Sequence, residues 1–188
     1  MTTTTPNAAS GLCARAALLS TLLSHPVEAG TLWQVRDELF ASQWLRDTPE
    51  AVRGLALLRE SASAREGVER LAMDFQRLFT GPDARVVPLE SAYRPEVKPS
   101  QLSAMYEQMG FTQPDSLPAD HLASELGFFS QLPVLTPSPA QHLADFAREH
   151  LRPWAAECFA EVSMTAATLF FQGVGAIGMD FVESLPMR

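Results

Sequence analysis

The chain has 188 residues, 46% of them hydrophobic, and carries a net charge of −8 at neutral pH. This length and hydrophobic content are sufficient for one domain with a sizeable core. Because the charge is acidic, bulk nucleic-acid binding, which requires a basic face, is not expected.

The sequence also indicates the cellular compartment in which the protein is expected. The first ten residues, MTTTTPNAAS, lack the basic and apolar regions of a secretory signal. No apolar run approaches the roughly 18 residues that a membrane-spanning helix needs, so stable membrane insertion is not expected. The two cysteines, Cys13 and Cys158, are far apart, and a disulfide framework is not indicated. We therefore expect a reducing, cytoplasmic location.

Apolar residues at helical spacing dominate the first part of the chain. Residues 1–9 are predicted to be a disordered tail, and residues 10–188 to form one all-helical domain. A first helix is predicted over 10–24. A second is predicted over about 28–42, with Leu39 among its inward-facing residues.

Two local patterns predict the next helix starts. Thr48 followed by Pro49 has the hydroxyl cap and first-turn proline of a helix N-terminus. Ser63 with Glu66 three residues later has the form of a capping box and is predicted to open a longer helix. One side of that helix is apolar and comprises Val68, Leu71, Ala72, Phe75, Leu78 and Phe79.

A proline-rich segment follows at residues 82–99. Its four prolines forbid a long helix or a central strand. It also carries Val86, Leu89 and Tyr93, which would be costly to leave in water. We therefore predict an ordered loop packed across the helices, a kind of segment that often has a function. A short helix at about 100–109 comes next.

The stretch 117–132, LPADHLASELGFFSQL, is the most informative in the chain. Pro118 is placed to begin a helix, and Asp120 to lie in its first turn, where a negative charge meets the positive end of the helix dipole. His121 and Glu125 are four residues apart and therefore neighbours on one helix face. We predict that an acid and an imidazole lie side by side at a helix start, which suits contact with a peptide or an anion.

The remaining elements complete the predicted class. The link at 110–119 could act as a hinge for exchange of the C-terminal half between chains. Ser138-Pro139 predicts another capped helix start, and an apolar stripe from 154 to 178 predicts one last helix. No strand or internal repeat is indicated. The predicted class is all-α, a single-domain helical bundle of about eight or nine helices.

The polar residues of the central stretch admit two interpretations. Asp120, His121 and Glu125 could serve a small metal-dependent or nucleotide hydrolase. However, the sequence has no HExxH, CxxC, P-loop or GxSxG motif, and we expect no metal site. The same residues could instead form only a helix cap and a half-buried histidine.

The apolar residues before the loop also admit two interpretations. Phe75, Leu78 and Phe79 could be ordinary core. They could instead line a groove beside the loop that accepts a peptide with an apolar stretch and a basic end. The carboxylates available to the basic end are Asp83, Glu90 and Asp120.

Four segments together resemble the TorD/DmsD family of cytoplasmic redox-enzyme maturation chaperones, a group related to NarJ. Their order and spacing agree with that family over about residues 10–182. The segments are FQRLFTGP at 75–82, VPLESAYR at 87–94, PADHLASEL at 118–126 and HLRPWAAECFAEVSMTAATLFFQGV at 150–174.

The resemblance implies an all-helical chaperone without catalytic residues. It implies that the chain binds the twin-arginine leader of a molybdopterin-containing oxidoreductase of the DMSO/TMAO reductase class, assists cofactor insertion, and delays export until folding is complete. Proteins of molybdenum-cofactor biosynthesis are further expected partners. No cofactor of its own is expected, although GTP binding has been proposed for some members.

The family residues linked to leader binding match positions in three of the four segments. Two departures concern the loop: Asp83 and Leu89 stand where one branch has tryptophans, and Arg94-Pro95 replaces Leu-Asp, so the preferred leader is expected to differ. A plain helical scaffold is the third interpretation of the chain. The predicted peptide-binding residues are Phe75, Leu78, Phe79, Ser91, Tyr93, Asp120, His121 and Glu125.

Overall fold

A computed structural model describes residues 8–37, 46–113 and 116–187. Within these ranges the chain forms ten helices and no strand, which confirms the predicted all-α class. The helices Val68–Phe75 and Pro139–Phe146 each continue into a single π-helical turn, Gln76–Thr80 and Ala147–Leu151 respectively. The helices are α1 (Ala8–Ser24), α2 (Ala29–Arg36), α3 (Pro49–Ser63), α4 (Val68–Phe75), α5 (Glu90–Tyr93), α6 (Pro99–Gln108), α7 (Leu122–Leu135), α8 (Pro139–Phe146), α9 (Ala155–Thr165) and α10 (Leu169–Glu183).

Three helix pairs build most of the core. α1 packs against α7, and α10 packs against both α3 and α9. The α3 and α10 backbones approach closely where two glycines face each other, because a Cβ on Gly54 would lie 3.1 Å from the carbonyl oxygen of Gly173. None of the described helices is long and apolar enough to cross a membrane. Cys13 and Cys158 are both buried and neither forms a disulfide.

The N-terminal elements agree with the prediction in part. α1 begins at Ala8, so the predicted tail is wrong for its last two residues, and residues 1–7 lie outside the described ranges. The predicted second helix ends earlier than expected, because Asp37 already has an extended backbone. The rest of that prediction, including Leu39, falls within 38–45, which the structure does not describe. The predicted hinge likewise includes undescribed residues, 114 and 115, and stays a prediction.

The Thr48 cap is confirmed, but the Ser63–Glu66 capping box is wrong. The Thr48 hydroxyl accepts the Ala51 N–H at 3.2 Å, at the start of α3. Ser63 is instead the last residue of α3, and its hydroxyl donates to the Arg59 carbonyl. The Glu66 carboxylate accepts N–H groups from the first turn of α10, where backbone donors also lack helical partners.

The predicted last helix is in fact two helices. α9 ends at Thr165 and α10 begins at Leu169, with Thr168 as its N-cap. The Asp74 carboxylate holds this break in place by accepting the N–H groups of Ala167 and Thr168, at 3.1 and 2.8 Å. The apolar stripe runs across the break, so periodicity alone did not reveal it. This split and the short α5 raise the number of helices in the described ranges to ten, above the eight or nine predicted.

Ser138 precedes α8 as predicted, although its side chain makes no capping hydrogen bond among the described residues.

Candidate functional site

The predicted helix start at Pro118 is wrong, because α7 begins at Leu122 with His121 as its N-cap. The imidazole Nδ1 accepts the Ala123 N–H at 3.1 Å, as a serine or asparagine oxygen does at other helix starts. Burial lowers the pKa of His121 to about 4, against an opposing effect of Asp120. The ring is therefore neutral at physiological pH, which is the form that can accept this hydrogen bond.

Asp120 lies before the helix and is 1% exposed. Its carboxylate accepts both the backbone N–H and the hydroxyl of Ser91, at 3.2 and 2.5 Å. Ser91 is in the first turn of α5, so Asp120 stabilises the start of that helix and not of α7 as predicted. The predicted favourable contact of an acid with a helix N-terminus occurs, but with a different helix.

The proline-rich loop is ordered and packed across helices, as predicted. On one side, the Leu78 carbonyl in the first π-helical turn accepts the N–H groups of Arg85 and Val86. On the other side, Glu90 N–H donates to the Asp120 carbonyl at 2.8 Å, beside an isolated antiparallel bridge between Leu89 and His121. The loop thus connects the two segments that the sequence predicted to bind a peptide.

The apolar residues at the end of α4 and in the π-helical turn at 76–80 are divided between core and surface. Leu78 is fully buried and Phe75 is 3% exposed, which makes both of them core residues. Phe79 is only partly buried and lies edge-on to Phe75, with ring centroids 5.1 Å apart. π-helical turns are rare and frequently occur at functional sites. Of these residues, Phe79 is the one that a partner can reach.

A buried polar cluster lies beneath the loop; we define it as Glu90, Arg94, Glu125, His150 and Trp154. Glu90 is wholly buried. One of its oxygens accepts from Arg94 Nη1 at 2.5 Å, and the other lies 2.9 Å from His150 Nδ1. Two cationic or potentially cationic side chains therefore share one buried carboxylate.

Glu125 is the exceptional member of the buried polar cluster. It is wholly buried, and neither of its oxygens has a well-formed hydrogen bond to any described residue, although Glu90 and Trp154 lie close to it. Trp154 Nε1, which lies close to this carboxyl group, likewise makes no well-formed hydrogen bond to a described residue. Burial, followed by the charge of Glu90, raises the pKa of Glu125 well above its usual value. The folded environment therefore favours the neutral form of Glu125.

Tyr93 connects the loop to α9 at the edge of the buried polar cluster. Its hydroxyl donates to Glu161 at 2.7 Å, and its ring lies 5.3 Å from the Trp154 ring. Tyr93 and Ser91 are partly exposed, as is Phe79. Val87, at 50% exposure, adds an apolar side chain on the same loop.

The eight predicted site residues therefore fall into two classes. Five of them are buried, and the partly exposed ones are Phe79, Ser91 and Tyr93. Ser91, Asp120 and His121 are direct neighbours, because Ser91 is hydrogen-bonded to Asp120 and His121 follows it in the chain. The π-helical turn is connected to these residues only through the backbone of the loop. The buried residues are Phe75, Leu78, Asp120, His121 and Glu125.

Sequence reasoning did not select Arg94 and His150 as site residues. Two signals were present: Glu90 and Arg94 have the i, i+4 spacing of a helical ion pair, and His150 opens the H-L-x-P-W segment. Neither pattern indicates by itself that the two cations meet on one buried carboxylate, because that contact joins residues 60 positions apart.

The hydrolase alternative is not favoured by this geometry. Within the described ranges, no three His, Cys, Asp or Glu side chains are arranged to hold a metal ion. The Nδ1 atom of His121 is engaged by the helix backbone, and Glu125 is enclosed in the core.

A groove of about 360 Å³ lies on other elements of the molecule. It is formed by α2 and the start of α4, and none of the predicted site residues lines it. Its most exposed side chain is Trp33, at 80%. Any binding experiment must therefore distinguish the proline-rich loop from this groove.

Comparison with known proteins agrees with the fold and with the motifs. The family model of the nitrate reductase delta subunit matches residues 45–160, more than half of the chain. The fold is similar to a crystal structure from Archaeoglobus fulgidus of a protein with a proposed role as a redox enzyme maturation protein, with a TM-score of 0.58. The two chains are 18% identical over 96% of this chain and 97% of that one.

No protein of curated function matches the sequence significantly. The family match covers the π-helical turn, the proline-rich loop and the start of α7. On this basis the chain belongs to the nitrate reductase delta subunit family, the NarJ- and TorD-like chaperones that mature redox enzymes and are not themselves catalysts.

Proposed function

We propose that this maturation chaperone binds the twin-arginine leader of a molybdopterin-containing oxidoreductase of the DMSO/TMAO reductase class. In the cytoplasm, it would hold the enzyme back from export until cofactor insertion and folding are complete. The observation that carries the proposal is the proline-rich loop, which is hydrogen-bonded to the Phe79 turn on one side and to Asp120 on the other. This loop presents accessible apolar groups above buried carboxylates.

The chemistry of such a leader suits these features. Its arginines favour carboxylates, and its apolar helix-forming stretch requires apolar contacts. An exposed ion pair contributes only about 0.2–1 kcal/mol, whereas apolar burial contributes about 25 cal/mol per Å². Most of the affinity is therefore expected from Phe79, Val87 and Tyr93, and the carboxylates are expected to determine orientation and specificity.

Replacement of Phe79 tests this proposal most cleanly, because the side chain is accessible. Phe79→Ala is expected to weaken binding about tenfold or more, since it removes an aromatic contact of a kind that often dominates interfaces. The measurement is calorimetric titration with a synthetic leader peptide from the host's own DMSO/TMAO-reductase-class enzyme. Because the contact is apolar, the loss should persist at high salt, where surface ion pairs are screened.

The matched control is Trp33→Ala, which removes an exposed aromatic from the other groove. We expect unchanged affinity in this variant. Weaker binding in Trp33→Ala with no change in Phe79→Ala would place the peptide in the α2 groove and contradict the proposal. Leu78→Ala is unsuitable, because a cavity at a fully buried leucine costs about 2–5 kcal/mol of stability.

Two further parts of the proposal concern partners and nucleotide. Proteins of molybdenum-cofactor biosynthesis are expected to co-purify with the chaperone and its client from the native host. GTP binding, implied for some relatives, is tested by equilibrium dialysis of the purified chain. Retention of GTP but not of ATP would support a specific nucleotide site, and equal retention of both would argue against one.

A further inference from the structure

Arg94 is already placed as an arginine ligand of a buried acid. Its Nη1 donates to Glu90 at 2.5 Å and to the Glu149 carbonyl at 2.6 Å, and its Nε donates to Glu96 at 3.1 Å. The Glu90 side chain is 0% exposed, whereas that of Arg94 is 27% exposed. The guanidinium therefore lies between the buried carboxylate and the solvent.

The carboxyl groups at and beside Glu90 offer more hydrogen-bond acceptors than Arg94 uses. Glu125 is wholly buried in contact with Glu90 and Trp154, and neither of its oxygens has a hydrogen bond of good geometry to a described residue. His150 occupies the second oxygen of Glu90. Acceptors that are buried without partners are uncommon and need an explanation. Here two carboxyl groups lie next to each other, and a planar guanidinium with five donors has enough N–H groups to serve both.

We propose that Glu90, with Glu125 behind it, is a guanidinium-binding subsite that Arg94 fills in the free chain and that an arginine side chain of a bound peptide takes over. This inference rests on the proposed function and names the part of the site that recognises a leader arginine. Arg94 thereby acts as an internal competitor, and its guanidinium is released from Glu90 when the peptide binds.

Glu90 is a better acceptor for this exchange than Asp120. The Asp120 carboxylate accepts two hydrogen bonds from Ser91, one of them from the backbone of α5. Displacing them would disturb a helix start. At Glu90 the exchange replaces one guanidinium with another, so the buried charge is never left without a cation. A lysine cannot reproduce this geometry, because its ammonium group lacks the planar fork.

Internal competition makes a quantitative prediction. If Arg94 leaves Glu90 free in about one molecule in ten, the apparent affinity for the peptide is about tenfold weaker than the intrinsic affinity. Arg94→Ala removes the competitor, so the leader peptide with two arginines is expected to bind this variant about tenfold more tightly. A purely structural role for Arg94 predicts the opposite, because a loosened loop would bind more weakly.

Calorimetric titration of the full chain tests the prediction with matched controls. Arg148→Ala removes the same charge from an exposed arginine that pairs with Asp145 and Glu149, and it should leave the affinity unchanged. A leader peptide with both arginines replaced by lysine should not distinguish Arg94→Ala from the parent chain. Equal or weaker binding of the arginine peptide to folded Arg94→Ala would overturn the inference, while binding to the parent chain would still uphold the proposed function.

A second experiment does not depend on the leader. Millimolar methylguanidinium should raise the melting temperature of Arg94→Ala but not of the parent chain, and methylammonium should have no such effect. Equal effects of the two cations would overturn the subsite even if the leader binds elsewhere. If Arg94→Ala fails to fold, Arg94→Lys replaces it, because it keeps the charge, holds Glu90 less well, and should show a smaller gain in affinity for the arginine peptide.

Discussion

Two groups of buried carboxylates in this chain have contrasting surroundings. At the break between α9 and α10, Asp74 accepts from two backbone N–H groups, from the Thr168 hydroxyl and from Arg77. In the buried polar cluster, Glu125 has no well-formed hydrogen bond to a described residue. The first arrangement has the features of a structural element, in which every acceptor is used. The second retains unused acceptors, which is expected where a ligand is bound.

The largest expected loss of stability comes from removing the Asp74 carboxylate, whose oxygens all accept hydrogen bonds. Asp74→Ala leaves the buried N–H and the buried hydroxyl of Thr168, the N-cap of α10, without their acceptor, and each such group costs about 1–3 kcal/mol. We expect a loss of about 4 kcal/mol in the free energy of unfolding, measured by urea denaturation. The control is Asp145→Ala, which removes a partly exposed ion pair with Arg148 and should cost less than about 1 kcal/mol. Similar losses in the two variants would contradict the contrast.

The next largest effect is the pH dependence of folding stability that the His121 cap produces. Because the pKa of His121 is lowered from 6.5 to about 4 in the folded state, the unfolded chain binds the proton first as pH falls. The contribution to stability is present above pH 6.5 and is lost as pH falls towards 4, by about 3 kcal/mol in total.

His121→Asn keeps a capping oxygen but cannot titrate, so this part of the pH dependence should disappear from urea denaturation measured between pH 4 and 7. The control is His25→Asn, at an exposed position before α2, which should keep the pH dependence of the parent chain. If His121→Asn retained the full dependence, another group would have to be its source.

The smallest expected change in stability comes from an amide substitution at Glu125, which is compared directly with the same substitution at Asp74. Burial favours the neutral form of Glu125 in the folded chain, so Glu125→Gln should change the unfolding free energy by less than about 1 kcal/mol near pH 4, where the same carboxyl group is mostly neutral in the unfolded chain as well. Asp74→Asn, which alters a fully used carboxylate, should cost more than about 2 kcal/mol. Equal losses from the two amide substitutions would show that both carboxylates have the same role.

The same variant tests the raised pKa of Glu125. Its folded-state pKa lies above the usual 4.5, so the stability it contributes is present below pH 4.5 and is lost as pH rises through the folded-state value. Glu125→Gln lacks this loss. Its stability relative to the parent chain should therefore increase between pH 4.5 and 8, as measured by thermal unfolding, and a constant difference would contradict a neutral Glu125.

Some features were predictable because they depend on neighbouring residues in the chain. The Thr48 cap requires only a hydroxyl three residues before a free N–H group, and it forms as predicted. Gly110 ends its helix with a positive φ of 74°, which few other residues adopt. The all-α class follows from helical spacing that recurs along most of the chain.

Other features were not predictable because a distant partner decides them. Glu66 and Asp120 were both expected to serve the helix next to them in sequence. Each instead accepts donors from another helix, 103 and 29 residues away respectively. Local rules identify the side chains that can cap a helix, but the tertiary fold determines which N–H groups lie within reach. The break before Leu169 was hidden for the same reason, since Asp74 stabilises it from α4.

Hydrogen exchange of backbone amides, with and without the twin-arginine leader peptide, shows directly which part of the chain the peptide covers. We expect slower exchange in the presence of peptide along residues 76–94 and at the start of α7, with α2 unchanged. Slower exchange confined to the α2 groove, or no change anywhere at saturating peptide, would contradict leader binding at the proline-rich loop.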